Sequence, residues 1–239
     1  MENHERTESE KRERIIKIAK DIRVVAFDMD GTLVDSVSYL WMLIQSLGRR
    51  FGIPNTQLLS TIRKLSHISE SAGRGLLERT LYAIRSVPLP FPISFVFLLV
   101  LGPRYWREAP KHSKIYDISL LRKIPHLKLA IITNGYPHTV HKYGIQKNFD
   151  IIITRKDVKH LKPRPEPFLL LMKRTNSTPK EILVVDDLEC NIYSAHAFGM
   201  YTAGIRNVFN SRESLIKAGA DLVYDNVEML AKDLFRAFY

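Results

Sequence analysis

Six short apolar runs rich in β-branched side chains constrain this chain more than any other feature. They fall at 24–27, 128–132, 150–153, 182–185, 200–203 and 222–224. The first, Val24 to Phe27, has no polar residue between its apolar ones, which predicts a strand buried on both faces, as in a parallel sheet. From Asp117 onward, helical stretches fill the gaps at about 118–124, 137–144, 166–175, 190–198, 211–218 and 227–237. Strands alternating with helices predict an α/β fold, a Rossmann-like doubly wound parallel sheet. Ligands in such sheets bind beyond the carboxyl ends of the strands, so the residues that close each run come into question first.

Three segments put polar groups there, and a fourth, LKPRPEPF, stands just before an expected helix. The first run leads into DMDGTLVDS, Asp28 to Ser36, where two carboxylates, Asp28 and Asp30, precede Gly31, whose backbone freedom suits a tight turn. Thr133, Asn134 and Gly135 close the run 128–132, and a hydroxyl with the amides of a glycine turn can cradle a phosphate. In EILVVDDLECN, Asp186 and Asp187 are adjacent acids that repel unless a cation is present, which suggests a metal. Mg²⁺ prefers such hard oxygen ligands. In LKPRPEPF, Lys162 precedes Pro163 in a restricted turn and can offset the negative charge around it. Taken singly, these segments also read as an Asp/Gly turn, a Thr/Asn/Gly turn before a helix, and a solvated lysine.

Together they resemble the four motifs of the haloacid dehalogenase superfamily, in its phosphoglycolate phosphatase and β-phosphoglucomutase-like branch. DMDGTLVDS is similar to the first motif, DxDGTLxDS; Thr133 matches the second, the KPxPxxF pattern of Lys162 to Phe168 the third, and Asp186–Asn191 a DDxxxN variant of the fourth, GDxxxD. The resemblance implies an Mg²⁺-dependent phosphatase acting on a small phosphate monoester through an aspartyl phosphate. It implies Asp28 as nucleophile, Asp30 as general acid and base, and Thr133, the Asn134 and Gly135 amides and Lys162 around the phosphoryl oxygens. It also implies Mg²⁺ held by Asp28, the Asp30 carbonyl and Asp187, with Asp186 beside it. Asp186 for the common Gly, and Asn191 for Asp, depart from the usual motif and leave open whether Asp186 touches the ion.

The expected organisation is a charged N-terminal extension at 1–20, solvated or a frayed helix and lacking the apolar core of a secretory signal, a catalytic core at 21–36 and 113–239, and a mostly helical cap at 37–112. Within the cap, apolar residues at 39, 40, 43, 44, 47 and 51 predict a helix, with further helices at about 55–66 and 73–86. The apolar run Ile93 to Leu101 is nine residues, short of the ~20 that span a bilayer, so membrane contact is disfavoured. The cap holds +7 of the net charge of +11. That balance suits a small anionic phosphoester, for which Arg74 and Arg79 are candidate contacts. The arginines are scattered with no aromatic interleaving, which argues against nucleic acid. The eight histidines form no zinc pattern, His67, His138 and His141 included. Cys190 is the single cysteine, which fits a reducing, cytoplasmic setting, with the chain a monomer or homodimer. Two alternatives stand beside the phosphatase: a phosphomutase on the same fold, and a non-catalytic binding protein using the basic, apolar cap.

Overall fold

The structure, a computed structural model, describes residues 8–50, 52–60 and 102–239. Six parallel strands form one sheet: β1 Val24–Phe27, β2 Lys128–Ile132, β3 Ile151–Ile153, β4 Ile182–Asp186, β5 Tyr201–Ile205 and β6 Leu222–Tyr224. Their spatial order is β3-β2-β1-β4-β5-β6. The chain therefore winds outward from β1 in one direction and from β4 in the other. Connections on the two sides of that junction cover opposite faces, which leaves a crevice at the carboxyl ends of β1 and β4.

Alternation along the strands sorts side chains into two layers. Val25 and Phe27 face a core shared with Ile18 and Ala19 of helix α1 (Glu8–Asp21) and with the C-terminal helix (Val227–Phe238) through Leu230 and Leu234. Val24 and Ala26 face the other side, where the helices Glu166–Thr175 and Glu189–Ala197 contribute Phe168, Leu171 and Ala195. All four residues of β1 are at most 1% exposed. Burial on both faces is the reason the run carries no polar residue.

The first helix corrects the expectation of a solvated extension. Ile15, Ile18, Ala19 and Ile22 are buried at i, i+3, i+4 and i+7 spacing, an apolar stripe hidden in a heavily charged tract. Arg14 pairs with the buried Asp221, and Tyr201 donates its hydroxyl to Asp21, so the helix is tied to β5 and the start of β6. Smaller differences also have local causes. The stretch near 118–124 is a 3₁₀ turn, Ser119–Lys123, with the Asp117 carboxylate taking the Ser119 amide at 2.8 Å. Asp150 lies before β3, because its carboxylate accepts from the Leu129 amide and from Arg122, each at 2.8 Å.

The described residues divide into two compact units, one running to Asp35 and resuming at Ile115, the other within 36–114. The second unit holds α2 (Ser36–Arg50), helical residues 55–60 and α3 (Gly102–His112). Tyr39 of α2 stacks on Tyr105 and His112 of α3, with ring centroids 6.3 and 5.0 Å apart. A Cβ at Gly48 would stand 2.4 Å from Leu58 Cδ1, so any larger residue there would push the tip of that leucine aside. The expected helix at 73–86, the apolar run 93–101, His67, Arg74 and Arg79 lie outside the described residues.

The remaining helices of the first unit take labels in chain order: α4 Pro137–Lys142, α5 Glu166–Thr175, α6 Glu189–Ala197, α7 Arg212–Lys217 and α8 Val227–Phe238. Among the described residues no helix is long and apolar enough to cross a membrane.

Candidate active site

At the end of β1 the Asp28 amide donates to the Val185 carbonyl at 2.8 Å, continuing the pairing with β4. Met29 turns into the core at 0% exposure, and Asp30 lies near enough to Asp28 for its charge to act on that carboxyl. The turn that follows is closed by Gly31 N–H to the Val34 carbonyl (2.8 Å) and Val34 N–H to the Met29 carbonyl (2.9 Å). Gly31 has φ 87°, a left-handed conformation that disfavours any side chain there.

Lys162 reaches the same point from the loop before α5. Its ammonium stands 2.7 Å from Asp28 Oδ1 and 2.6 Å from Asp186 Oδ2, with its side chain 2% exposed. Two side chains from elsewhere in the fold hold its backbone at Lys162 and Pro163. Asn134 clasps the Lys162 backbone on both sides, accepting its N–H and donating to its carbonyl, each at 3.0 Å. Ser194 of α6 donates to the Pro163 carbonyl at 2.6 Å. The side chain of Asn134 thus serves the lysine loop, a role its place beside the expected phosphate cradle did not reveal.

Asp186 and Asp187, adjacent in sequence, have different surroundings. Asp186 is fully buried, and its oxygens are taken: Oδ1 by the Leu188 amide and Asn191 Nδ2, Oδ2 by Asn191 Nδ2 and Lys162, at 2.6–3.0 Å. Three donors thus engage both of its oxygens, although its carboxylate is still one of the three that lie close enough together to share an ion. Asp187 accepts one side-chain bond, from Asn207 Nδ2 to Oδ2 at 2.6 Å. Among the described residues, Asp187 Oδ1 and Asp28 Oδ2 accept no hydrogen bond.

Carboxylate oxygens of Asp28, Asp186 and Asp187 all lie within 4.8 Å of one another. Three acids face one ammonium. Burial pushes the Asp28 carboxyl up to about 7; Lys162 opposes this, and Asp186 and Asp30 reinforce it. Burial, then Asp186 and Asp28, hold Asp187 well above the usual carboxylate range. Burial disfavours the charge of Lys162, but Asp186 and Asp28 outweigh it and keep the amine protonated. The surplus of negative charge and the two carboxylate oxygens without donors fit a hard divalent cation between Asp28 and Asp187.

Thr133 is buried beyond β2, with its amide on the Ile153 carbonyl at 2.9 Å. Its hydroxyl oxygen accepts the Gly135 amide at 3.0 Å, and a Cβ at Gly135 would stand 3.2 Å from that oxygen. The structure therefore gathers Asp28, Asp186, Asp187 and Lys162 in direct contact or close reach, and sets Thr133 to Gly135 at the end of the strand beside β1. Sequence reasoning missed Ser194, Asn207 and Asn210. The two asparagines stand among ordinary turn residues just past β5, and only their position beyond a strand end could have marked them.

Comparison with known proteins is consistent with this geometry. A family model described as haloacid dehalogenase-like hydrolase matches residues 22–199. The phosphoglycolate phosphatase of Salmonella paratyphi A is 28% identical over 231 residues, covering 87% of this chain and 90% of that protein. The enzyme of the same name from Escherichia coli K12 is 27% identical over 235 residues, covering 88% and 92%. Among solved structures, a predicted phosphoglycolate phosphatase from Haemophilus somnus superposes with a TM-score of 0.63 at 22% identity, covering 89% of this chain and 97% of that one. L-2-haloacid dehalogenase from Xanthobacter autotrophicus gives 0.58 at 20% identity, covering 88% and 97%.

Proposed function

The chain belongs to the haloacid dehalogenase-like hydrolases, and from that premise we propose that it is an Mg²⁺-dependent phosphatase of small, anionic phosphate monoesters. The observation that carries the proposal is the Lys162 ammonium 2.7 Å from Asp28 Oδ1 in a buried site with Asp187 within ion-bridging reach. An anionic nucleophile attacks an anionic phosphate poorly unless cations neutralise both, and this arrangement brings them together.

In the proposed reaction an Asp28 carboxylate oxygen attacks phosphorus in line, forming an aspartyl phosphate as the ester oxygen leaves. Asp30, protonated, gives its proton to that alkoxide. Asp30 then takes a proton from the water that attacks the acyl phosphate, releasing inorganic phosphate and restoring Asp28. Lys162 stabilises the oxygens that gain charge, and Asp186 with Asn191 fixes the lysine. Thr133 and the amides of Asn134 and Gly135 receive the phosphoryl oxygens once the Gly135 amide exchanges Thr133 Oγ1 for substrate. Mg²⁺ bound by Asp28, the Asp30 carbonyl and Asp187 would supply charge neutralisation and orientation of the phosphoryl group. Asp186, whose oxygens are engaged by Lys162, Asn191 and the Leu188 amide, is assigned to Lys162 and not to the ion.

The phosphoglycolate phosphatases among the relatives support a phosphorylated small acid as the substrate class. The test is Mg²⁺-dependent release of phosphate from p-nitrophenyl phosphate and from a panel of phosphorylated acids and sugars. Asp28→Asn is expected to abolish turnover, and turnover that survives this change or ignores EDTA would overturn the assignment.

A further inference from the structure

We propose that Asn207 and Asn210 form a clasp that decides which oxygen of Asp187 is offered to a divalent cation, so that Asn207 is a positioning residue for metal binding. The inference rests on the reading of Asp187 as a metal ligand and concerns residues outside the four motifs.

The clasp is built by the loop between β5 and α7. Asn207 Oδ1 accepts the Phe209 amide at 2.8 Å, and Asn210 Oδ1 accepts the Asn207 amide at 2.9 Å. Each asparagine thus commits its oxygen to a backbone N–H inside the loop. The hydrogen-bond network fixes the orientation of both amides, since only their NH₂ groups remain to face outward. Both face Asp187. Asn210 Nδ2 donates to the Asp187 carbonyl and to the Ile205 carbonyl, each at 2.8 Å, joining the ends of β4 and β5. Asn207 Nδ2 donates to Asp187 Oδ2 at 2.6 Å.

The first bond fixes the backbone of Asp187 and the second fixes its carboxylate rotation. Oδ1 is left as the oxygen without a donor among the described residues. The choice of amides has an electrostatic reason. A lysine or arginine at 207 would supply the positive charge that the ion should bring, and an aspartate would lack the proton to donate. A neutral donor orients the ligand while preserving the negative surplus of the site. Partners that orient a ligand in this way typically change metal affinity by about 10- to 100-fold when removed.

The experiment is calorimetric titration of Mg²⁺ into the full chain without substrate, for the parent, Asn207→Ala and Asp187→Asn, with Tm recorded in EDTA. Asp187→Asn is expected to abolish binding. Asn207→Ala is expected to raise the Mg²⁺ Kd by about 10- to 100-fold, while Tm in EDTA falls by only a few degrees for the lost bond to the Phe209 amide and the substrate KM at saturating Mg²⁺ stays near the parent's. If the alanine variant does not fold, Asn207→Ser, whose shorter arm does not reach Oδ2, is held to the same criterion. A parent that binds Mg²⁺, loses it in Asp187→Asn and keeps its affinity in a folded Asn207 variant overturns the clasp alone. A parent that binds no Mg²⁺ overturns the metal-dependent reading and the clasp with it.

Discussion

Replacing Asp186 by alanine separates the two roles open to that residue, anchor of Lys162 or ligand of the ion. The side chains of Lys162 and Asp186 are 2% and 0% exposed at 2.6 Å, so the change removes one partner of a fully buried pair. Breaking such a pair costs roughly 3–5 kcal/mol. Two features place this site at the lower end. Lys162 keeps Asp28 at 2.7 Å, and the repulsion Asp186 exerts on Asp28 and Asp187 is relieved. A loss of about 3 kcal/mol corresponds to a fall in Tm of roughly 6–12 °C in a chain of this size. A lysine free to pivot also stabilises the phosphoryl oxygens less well, with kcat expected to fall by about 10²–10³, as for a lost oxyanion donor. The assays are thermal denaturation in EDTA and steady-state hydrolysis across Mg²⁺ concentrations. The double variant Asp186→Gly with Asn191→Asp moves the carboxylate to the position it holds in the GDxxxD motif. It is expected to recover part of both losses, because Asn191 Nδ2 already lies 3.0 Å from Asp186 Oδ2. An unchanged Tm with a large loss of Mg²⁺ affinity would refute the anchoring argument and make Asp186 a ligand. A double variant no better than Asp186→Ala would refute the exchange of places.

The site also predicts a pH dependence. The folded Asp28 carboxyl sits at about 7 against an ordinary value of 3.8, and Asp187 is likewise raised. A raised folded value stabilises the protein below the unfolded value and loses that stabilisation as pH climbs through the folded one, so the metal-free protein should weaken between about pH 4 and pH 7. Since Mg²⁺ binds the ionised acids, its upward shift of Tm should grow from pH 5 to pH 8 and flatten in Asp28→Asn; a shift independent of pH would contradict the charge surplus. Ile18→Ala, at a side chain 0% exposed on α1, should cost about 2–5 kcal/mol in denaturant unfolding, whereas a solvated extension would leave stability unchanged.

The strands and the four polar segments that close on the site were readable along the chain because they depend on local rules. A β-branched run without polar residues states its own burial, and a parallel sheet puts strand ends on one edge wherever those strands fall in sequence. Asp28 and Asp187, whose carboxylates lie within 4.8 Å, were therefore identifiable as neighbours before any contact was known. The stripe Ile15, Ile18, Ala19 and Ile22 was less visible, because surrounding charge masked a period that only the packed core reveals.

What tertiary structure alone decided is the partner of each polar group. Asp186 and Asp187 are adjacent and chemically identical, yet one meets Lys162 and Asn191 while the other meets Asn207. A carboxylate leans toward ion ligand or lysine anchor according to which donors occupy its lone pairs, and here the side-chain donors arrive from residues 5 to 24 positions away. The sequence by itself determined where the charges gather. The fold decided which of their oxygens are left without donors, because hydrogen bonding is directional and depends on ångström-scale placement that no local pattern encodes.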